Sequence, residues 1–393
     1  MPQPNAADAQ VAAHFRELRQ EHGLTQADVA YFGAGLVDRA FLARVETRGL
    51  PRTVKKFLTL ARMLLVDLDL IAELCDLRPL PVSRERPLPY NTALAEMMKA
   101  TAVGNFPRAA GYAFAILEDS RSPTADPRDE GRALVGLAAI SRFKGSLDAA
   151  RYFVERALRA KGLGQRNRFR SLLLLAEIEH ARGLDEIAEA LMNAITPEAR
   201  EADVYLAAKF DEFKAFIELE AGRFEAAIVF GGRAASSTID DPDLHARGTM
   251  ACALAQLGLD RPTEALRSAN RALSIARDTE DQGLISLAWI RRGNVLEASG
   301  DLHTALGCYD QALALAEELH HDRLHAKASL FLGRVLARLG RRGAARRHLR
   351  TVRRISVRIR LDRETAALLA TLEPQVLGDH PPAAARPRRR SPQ

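Results

Sequence analysis

Apolar residues recur every three to four positions along most of the chain, and few β-branched runs interrupt them, so helices are expected throughout and a large sheet is not. Residues 9–22 place Val11, Phe15 and Leu18 on one helical face, and Gly23 ends that helix. Thr25-Gln26-Ala27-Asp28 reads as a capping box, with Thr25 as N-cap and Asp28 three positions on, opening a short helix over 26–31 that turns Val29 and Ala30 inward. Gly33-Ala34-Gly35 is a turn. A third helix over 37–47 buries Phe41, Leu42 and Val45, and Pro51 closes it. A fourth, over 53–65, carries Phe57, Leu58, Leu60, Ala61 and Leu64, and a short fifth spans 68–74.

Pro79, Pro81, Pro87 and Pro89 then break the pattern. Prolines at that density fix φ and remove amide donors, which makes 79–90 an extended linker. From 91 to about 375 the chain is Ala/Leu-rich and repetitive. A helix stops at Gly104, Gly145, Gly183, Gly222, Gly258, Gly300 and Gly340, and a small residue follows at Ala109, Ala150, Ala188, Ala227, Ala265, Ala305 and Ala345. Six of the seven pairs are five apart; the fifth is seven apart, with an insertion near Pro262. The repeat length is 36–42 residues. Glycine tolerates φ > 0 at a helix-pair turn, and alanine lets two helices approach closely. The last stretch, 376–393, is Pro/Arg-rich without an apolar face and is expected to be a basic disordered tail.

The repeats resemble the tetratricopeptide repeat, a helix-turn-helix pair that stacks into a superhelix. The sixth carries the resemblance best, through Trp289, Gly293, Leu296, Gly300, Ala305, Tyr309 and Ala312. The seventh matches through Leu332, Gly333, Leu336, Gly340, Ala345 and Leu349, and the second through Leu137, Ala138, Gly145, Ala150 and Ala157. The N-terminal strings LRQEHGLTQADVA, FLARVE and LARMLLVDLD resemble the XRE (Cro/C1-type) helix-turn-helix family over about residues 9–75. The two resemblances together imply an all-α chain: a five-helix phage-repressor-like domain over 1–78, the linker 79–90, about seven tetratricopeptide-like hairpins forming an α-solenoid over 91–375, and the tail 376–393.

The helix-turn-helix resemblance implies specific contacts with double-stranded DNA. Thr25 and Gln26 stand where the second helix offers its amides, and Gln26 its side chain, to a phosphate. The third helix would lie in the major groove with Asp38, Arg39, Ala40 and Ala43 toward base edges, Arg39 paired to guanine and Ala40 against a thymine methyl. Arg44, Arg48, Arg52 and Lys55 are phosphate candidates, although Arg44 and Glu46 also fit solvated positions or an internal ion pair. From Ala30 to Glu46 the spacing is about two residues longer than the family's, which places the extra length in the turn FGAGL.

In the repeats, the first helix of each pair is expected to line a concave groove. Candidates there are Arg132, Arg142, Arg170, Glu177, His180, Lys209, Glu212, Gln256, Asn294, Arg334 and Arg338. Asn294 follows Gly293, where a side-chain amide can donate to and accept from an extended peptide at once. Their mixed signs do not suit one strongly acidic tail. A helix over about 346–360 is basic on one side, with Ala345, Leu349, Val352, Ile355 and Ile359 on the other. Its arginines, with Arg386 and Arg388 to Arg390, read either as a solvated face or as a source of sequence-independent DNA affinity.

Charge and composition narrow the function class. The chain of 393 residues carries +7, with +11 from Arg338 onward and −4 before it. Residues 1–66 hold only +3, so a monomer would bind DNA weakly and a homodimer would double its contacts. Three separated cysteines form no CxxC pair, and His320, His321 and His325 read as a polar helix surface, so neither a metal site nor a cofactor is expected. No phosphate loop, HExxH or GxSxG string is present, and no catalytic residue is assigned. No apolar run spans a bilayer, so no membrane is expected and the cytoplasm is the expected compartment. A helix-turn-helix domain joined to a tetratricopeptide array resembles the peptide-responsive quorum-sensing regulators, and that resemblance implies a sequence-specific, homodimeric transcription regulator whose repeats dimerise and sense a signalling peptide or protein. The alternative is an interaction adaptor or sequestering regulator built on the repeats, without specific DNA binding.

Overall fold

The computed structural model describes residues 6–32, 37–49, 54–77, 90–102, 105–120, 126–357 and 359–377. Among them every regular element is an α-helix. The chain divides into two compact units, residues 1–207 and 208–393.

The first unit opens with five helices: α1 (Ala6–Glu21), α2 (Gln26–Phe32), α3 (Arg39–Arg48), α4 (Val54–Met63) and α5 (Leu68–Asp76). The expected capping box forms at α2. The Thr25 amide and hydroxyl donate to Asp28 Oδ2 at 2.7 and 2.6 Å, and the Asp28 amide donates back to the Thr25 hydroxyl at 3.2 Å. Gly23 takes φ +66° and ends α1 as expected. The turn at 33–36, where the extra length was expected, lies outside the described residues. Hairpins follow: α6 (Tyr90–Ala102) with α7 (Phe106–Asp119), α8 (Pro127–Lys144) with α9 (Leu147–Arg159), and α10 (Gln165–Ala181) with α11 (Asp185–Asn193), then the short α12 (Pro197–Glu201). One hydrophobic core runs from Val11, Phe15 and Phe41 through Leu74 and Met97 to Phe153 and Ile178. It therefore joins the five N-terminal helices to the hairpins that follow.

Helix α13 (Val204–Glu220) leads into the second unit, whose hairpins are completed by α14 (Phe224–Ala235), α15 (Pro242–Gly258) with α16 (Pro262–Arg277), α17 (Gln282–Ala298) with α18 (Leu302–Glu318), and α19 (Asp322–Arg338) with α20 (Arg342–Ser356). A last helix, α21 (Arg363–Leu377), closes the unit. From α15 to α20 the repeat is regular to the residue. Asp241 and Asp281 each accept an amide at the start of α15 and α17. His321 takes the same role 40 residues on, its Nδ1 accepting the Leu324 amide. Burial of that ring drives its pKa down to about 4, in keeping with the neutral acceptor this cap needs.

The hairpin turns follow the predicted spacing with one instructive shift. Gly145, Gly183, Gly222, Gly300 and Gly340 all have φ between +71° and +88°. Gly258 does not turn the chain; it stays in α15, where a Cβ would stand 2.5 Å from the Phe224 ring. The left-handed residue is Asp260, at φ +58°, five before Ala265. The pair that looked seven apart is thus five apart like the others, and the apparent insertion is an exchange of roles between two positions. Gly104 lies outside the described residues. All seven alanines are completely or almost completely buried.

Two substitutions separate these roles. Asp260→Gly removes the left-handed penalty of a residue with a Cβ and is expected to raise stability by about 0.5–1 kcal/mol. Gly258→Ala must displace the Phe224 ring and is expected to cost about 1–3 kcal/mol. Thermal unfolding of the two variants against the parent chain measures both signs.

Candidate functional site

The N-terminal helices build a surface around α3. Its inner side is apolar, with Phe41, Leu42 and Val45 buried. Glu46, also buried, is the polar anchor. It accepts from Arg19 on α1 at 2.5 and 3.0 Å and from the Gln26 side chain on α2 at 2.9 Å, while Arg16 donates to its backbone carbonyl at 2.5 Å. These bonds fix α3 against α1 and α2, so the outward face of α3 is held by charge-assisted contacts beneath it. That face carries Arg39, Ala40, Arg44 and Arg48, all exposed, with Ala43 half-buried among them. Of the alternatives open for Arg44 and Glu46, Glu46 is the one in an internal ion pair, with Arg19, and Arg44 is exposed.

Asp38, Gln26 and Thr25, among the proposed DNA contacts, have internal partners. Asp38 is the N-cap of α3: its Oδ1 accepts the Phe41 amide at 2.7 Å, and Lys56 pairs with its other oxygen at 3.1 Å. Gln26 is bonded to Glu46 as above. Thr25 sits at the exposed start of α2 inside its capping box. Arg52 and the side chain of Lys55 lie outside the described residues.

Helix α9 lies along this N-terminal group. Its own N-cap residue, Ser146, makes no side-chain capping bond. Glu73 on α5 supplies one instead, accepting the Ala149 amide at 2.8 Å. Arg156 donates to Gln10 at 2.6 Å and lies 3.7 Å from Glu17, and His14 meets the Tyr152 ring edge-on at 5.0 Å. Burial, aided by the charges of Asp148 and Asp67, pushes the Glu73 carboxyl up to about 7.

Every groove candidate has an internal partner. Arg142 on α8 reaches Glu177 on α10 at 3.0 Å. Arg170 on α10 pairs with buried Asp203 at 2.6 Å and stacks 4.6 Å from the Tyr205 ring. Lys209 pairs with Glu212 at 2.8 Å, the Ser268 hydroxyl donates to Gln256 at 2.8 Å, and His180 bonds Asp185 at 2.9 Å. Arg132 lies 3.6 Å from Asp129 and 5.2 Å from the Tyr90 ring. Asn294, Arg334 and Arg338 come together around one residue that sequence reading passed over, buried Glu297 on α17. Arg334 and Arg338 on α19 reach its carboxylate at 2.7 and 3.0 Å. The Tyr309 hydroxyl lies 2.9 Å from Glu297 Oε2 and 2.7 Å from the Asn294 side-chain oxygen. One phenolic hydrogen cannot serve both, so the bond network favours an Asn294 amide turned to donate to Tyr309 while Tyr309 donates to Glu297.

A second cluster escaped the sequence altogether. Arg291 and Lys327, both buried, hold Glu364 at 2.9 and 2.8 Å, and Lys327 also lies 3.2 Å from buried Asp362. Burial alone would raise these acids. Lys327 and Arg323 outweigh it at Asp362 and hold that carboxyl far below its ordinary range; Arg291 and Lys327 bring Glu364 down to about 2. A cavity of about 350 Å³ lies between α16 and α17, lined by Asn270, Ser274, Arg277 and Arg292 around Trp289. Both guanidiniums lie over the indole, at 5.1 and 5.5 Å.

Residues 284–356 match the tetratricopeptide repeat family. No curated protein matches the chain. The structure is similar to that of a Rap protein complexed with Competence and Sporulation Factor, at 15% identity, with 73% of this chain and 82% of that one covered and a TM-score of 0.56. It also aligns with Bacillus thuringiensis PlcR in complex with the peptide PapR7 and DNA, at 12% identity, over 82% of this chain and 99% of that one, with a TM-score of 0.35. At such identities the first likeness is one of fold. Among the described residues no helix is long and apolar enough to cross a membrane.

Two predictions follow from the ionised groups. Glu297→Ala leaves the buried Tyr309 hydroxyl and two arginines short of an acceptor and is expected to cost about 1–3 kcal/mol, measured by denaturant unfolding. Glu73 is raised in the fold, so its contribution to stability is full below about pH 4.5 and is lost as pH rises through about 7. Glu73→Gln keeps an oxygen acceptor for Ala149 without that ionisation. Its unfolding free energy is expected to fall less than the parent's between pH 5 and 8.

Proposed function

We propose that this chain is a homodimeric, sequence-specific DNA-binding regulator whose tetratricopeptide-like repeats bind a peptide or protein. The observation that carries this reading is the outward face of α3. Arg39, Ala40, Arg44 and Arg48 are exposed across this outward half of the helix, while Glu46, Arg19 and Gln26 fix the helix from behind. A surface meant to read base edges needs donors on a helix whose orientation is fixed before contact, since each good bidentate pair is worth about 1–3 kcal/mol only when geometry is met. Arg39, at the start of α3, is the proposed base reader. Arg44 and Arg48 with Arg52 and Lys55 are the proposed phosphate contacts, and Thr25 stands beside the amides that open α2. Asp38 orders the first turn of α3 as its cap.

The docking of α1 and α5 on α9 supports coupling between the repeats and the DNA-reading surface. A shift in the hairpin that contains α9 would carry α3 with it, and two copies bound to half-sites one helical turn apart tolerate only certain separations. The engagement of Gln26 by Glu46 favours a second reading to a smaller degree, in which the repeats work as an adaptor or sequester a partner without reading DNA.

Selection from a random duplex pool by the full-length chain at about 150 mM salt, where weak surface electrostatics are screened, separates these readings. An enriched inverted repeat is expected, and Arg39→Ala is expected to lose preference at one base pair per half-site, by about 1–3 kcal/mol. Recovery of an unbiased pool with the peptide or protein ligand present would leave the adaptor.

A further inference from the structure

The start of α21 falls one residue past the point where the 40-residue pattern would begin an eighth hairpin. Asp362 accepts the Thr365 amide at 2.9 Å, as Asp241, Asp281 and His321 accept theirs. Yet its first turn also reaches back over earlier first helices. Glu364 receives two bonds from Arg291 on α17, at 2.9 and 3.0 Å. Lys327 on α19 touches both Glu364 and Asp362, and Arg323 on α19 lies 3.5 Å from Asp362. Arg363, between the two acids, meets Glu220 at the end of α13 at 3.3 Å. Residues 362–364 therefore bridge the first helices of three hairpins. The far half of α21 rests on α20, where Arg346 donates to the Val376 carbonyl at 2.9 Å and Arg353 pairs with Glu373.

This segment fits as a ligand fits. It brings two carboxylates to three cations, on the faces of α17 and α19 where the repeats were expected to bind. The match is incomplete: Nε of Arg291 is buried without an acceptor, so the site has a donor to spare. Pro374 removes one amide from the helix that holds the segment in place.

We propose that Arg291, Arg323 and Lys327 form a binding site for an acidic peptide, and that Asp362-Arg363-Glu364 occupies it as an internal ligand that such a peptide displaces. The proposal rests on the reading of the repeats as a peptide-binding surface and names the charge of the ligand and the element that competes with it. Tethering gives the internal segment an effective concentration on the order of millimolar, so an outside peptide meets strong competition until the segment is weakened.

The test uses the full-length chain and a fluorescein-labelled synthetic peptide with the sequence of residues 359–377. The Asp362→Asn/Glu364→Gln variant is expected to bind it at least tenfold more tightly than the parent chain. Adding Lys327→Met to that variant is expected to remove the gain, and a labelled peptide carrying Asn and Gln at the same two positions is expected not to bind. Equal affinity for parent and variant overturns the proposal. So does capture of random duplex DNA by the variant in place of the peptide, which would assign the exposed cations to phosphate. Should the variant fail to fold, hydrogen exchange on the parent chain decides. Amides of α21 are expected to exchange at least tenfold faster than those of α20, and equal rates overturn the proposal because α21 would then open only with its neighbours. None of these readouts involves an operator, so they stand apart from the outcome of the duplex selection.

Discussion

The close crossing of two helices within each hairpin is the constraint on which the rest depends. It requires a left-handed residue at the turn and a side chain no larger than alanine five residues later. Where both are met the helices approach closely, and the positions of every other side chain in the hairpin follow from helical geometry. The caps at Asp241, Asp281 and His321 keep the same 40-residue beat because the crossing points do. A first-helix residue such as Glu297 then stands opposite Arg334 and Arg338 of the next first helix without any special device to bring them together.

Local chemistry was legible in the sequence to the extent that it was local. The capping box at Thr25 to Asp28 and the turns from Gly145 to Gly340 each involve residues a few positions apart, so a string suffices. Asp260 shows the limit. A glycine stood two residues away, and only the backbone reveals that Gly258 serves packing while Asp260 turns the chain. The candidate sites were legible in part. Arg39, Ala40, Arg44 and Arg48 are all exposed, because the helical period that buries Phe41, Leu42 and Val45 leaves the opposite half of α3 to solvent. Their anchors were not visible, since Glu46 finds Arg19 across 27 residues and Glu73 finds Ala149 across 76. The groove candidates share a helix face, and the period that places them there gives no information about which opposite charge a neighbouring helix will present. The pairs Arg142–Glu177 and Arg170–Asp203 are of that kind.

The first helices of the hairpins thus carry a lattice of ion pairs in place of a bare charged lining. Such pairs, partly shielded from water, stabilise less than their Coulomb attraction suggests, because each charge gives up hydration. They are geometrically demanding, and that is their consequence for recognition. A ligand arriving at such a surface exchanges partners with groups already hydrogen-bonded, which favours ligands that offer matching carboxylates or amides and disfavours purely apolar ones.

The cap that Glu73 places on α9 also has a mechanical side. Helix α9 has 13 residues, and at about 1.5 Å per residue it is a rod of about 20 Å. The N-terminal helices grip this rod at its start through Glu73 and near its end through Arg156, and two points of attachment fix direction as well as position. A tilt of about 10° at that lever length moves the far end by about 3–4 Å, close to the rise of one base pair. In the proposed regulator, small rotations within the repeats would then be geared to steps of the size in which duplex DNA is graduated.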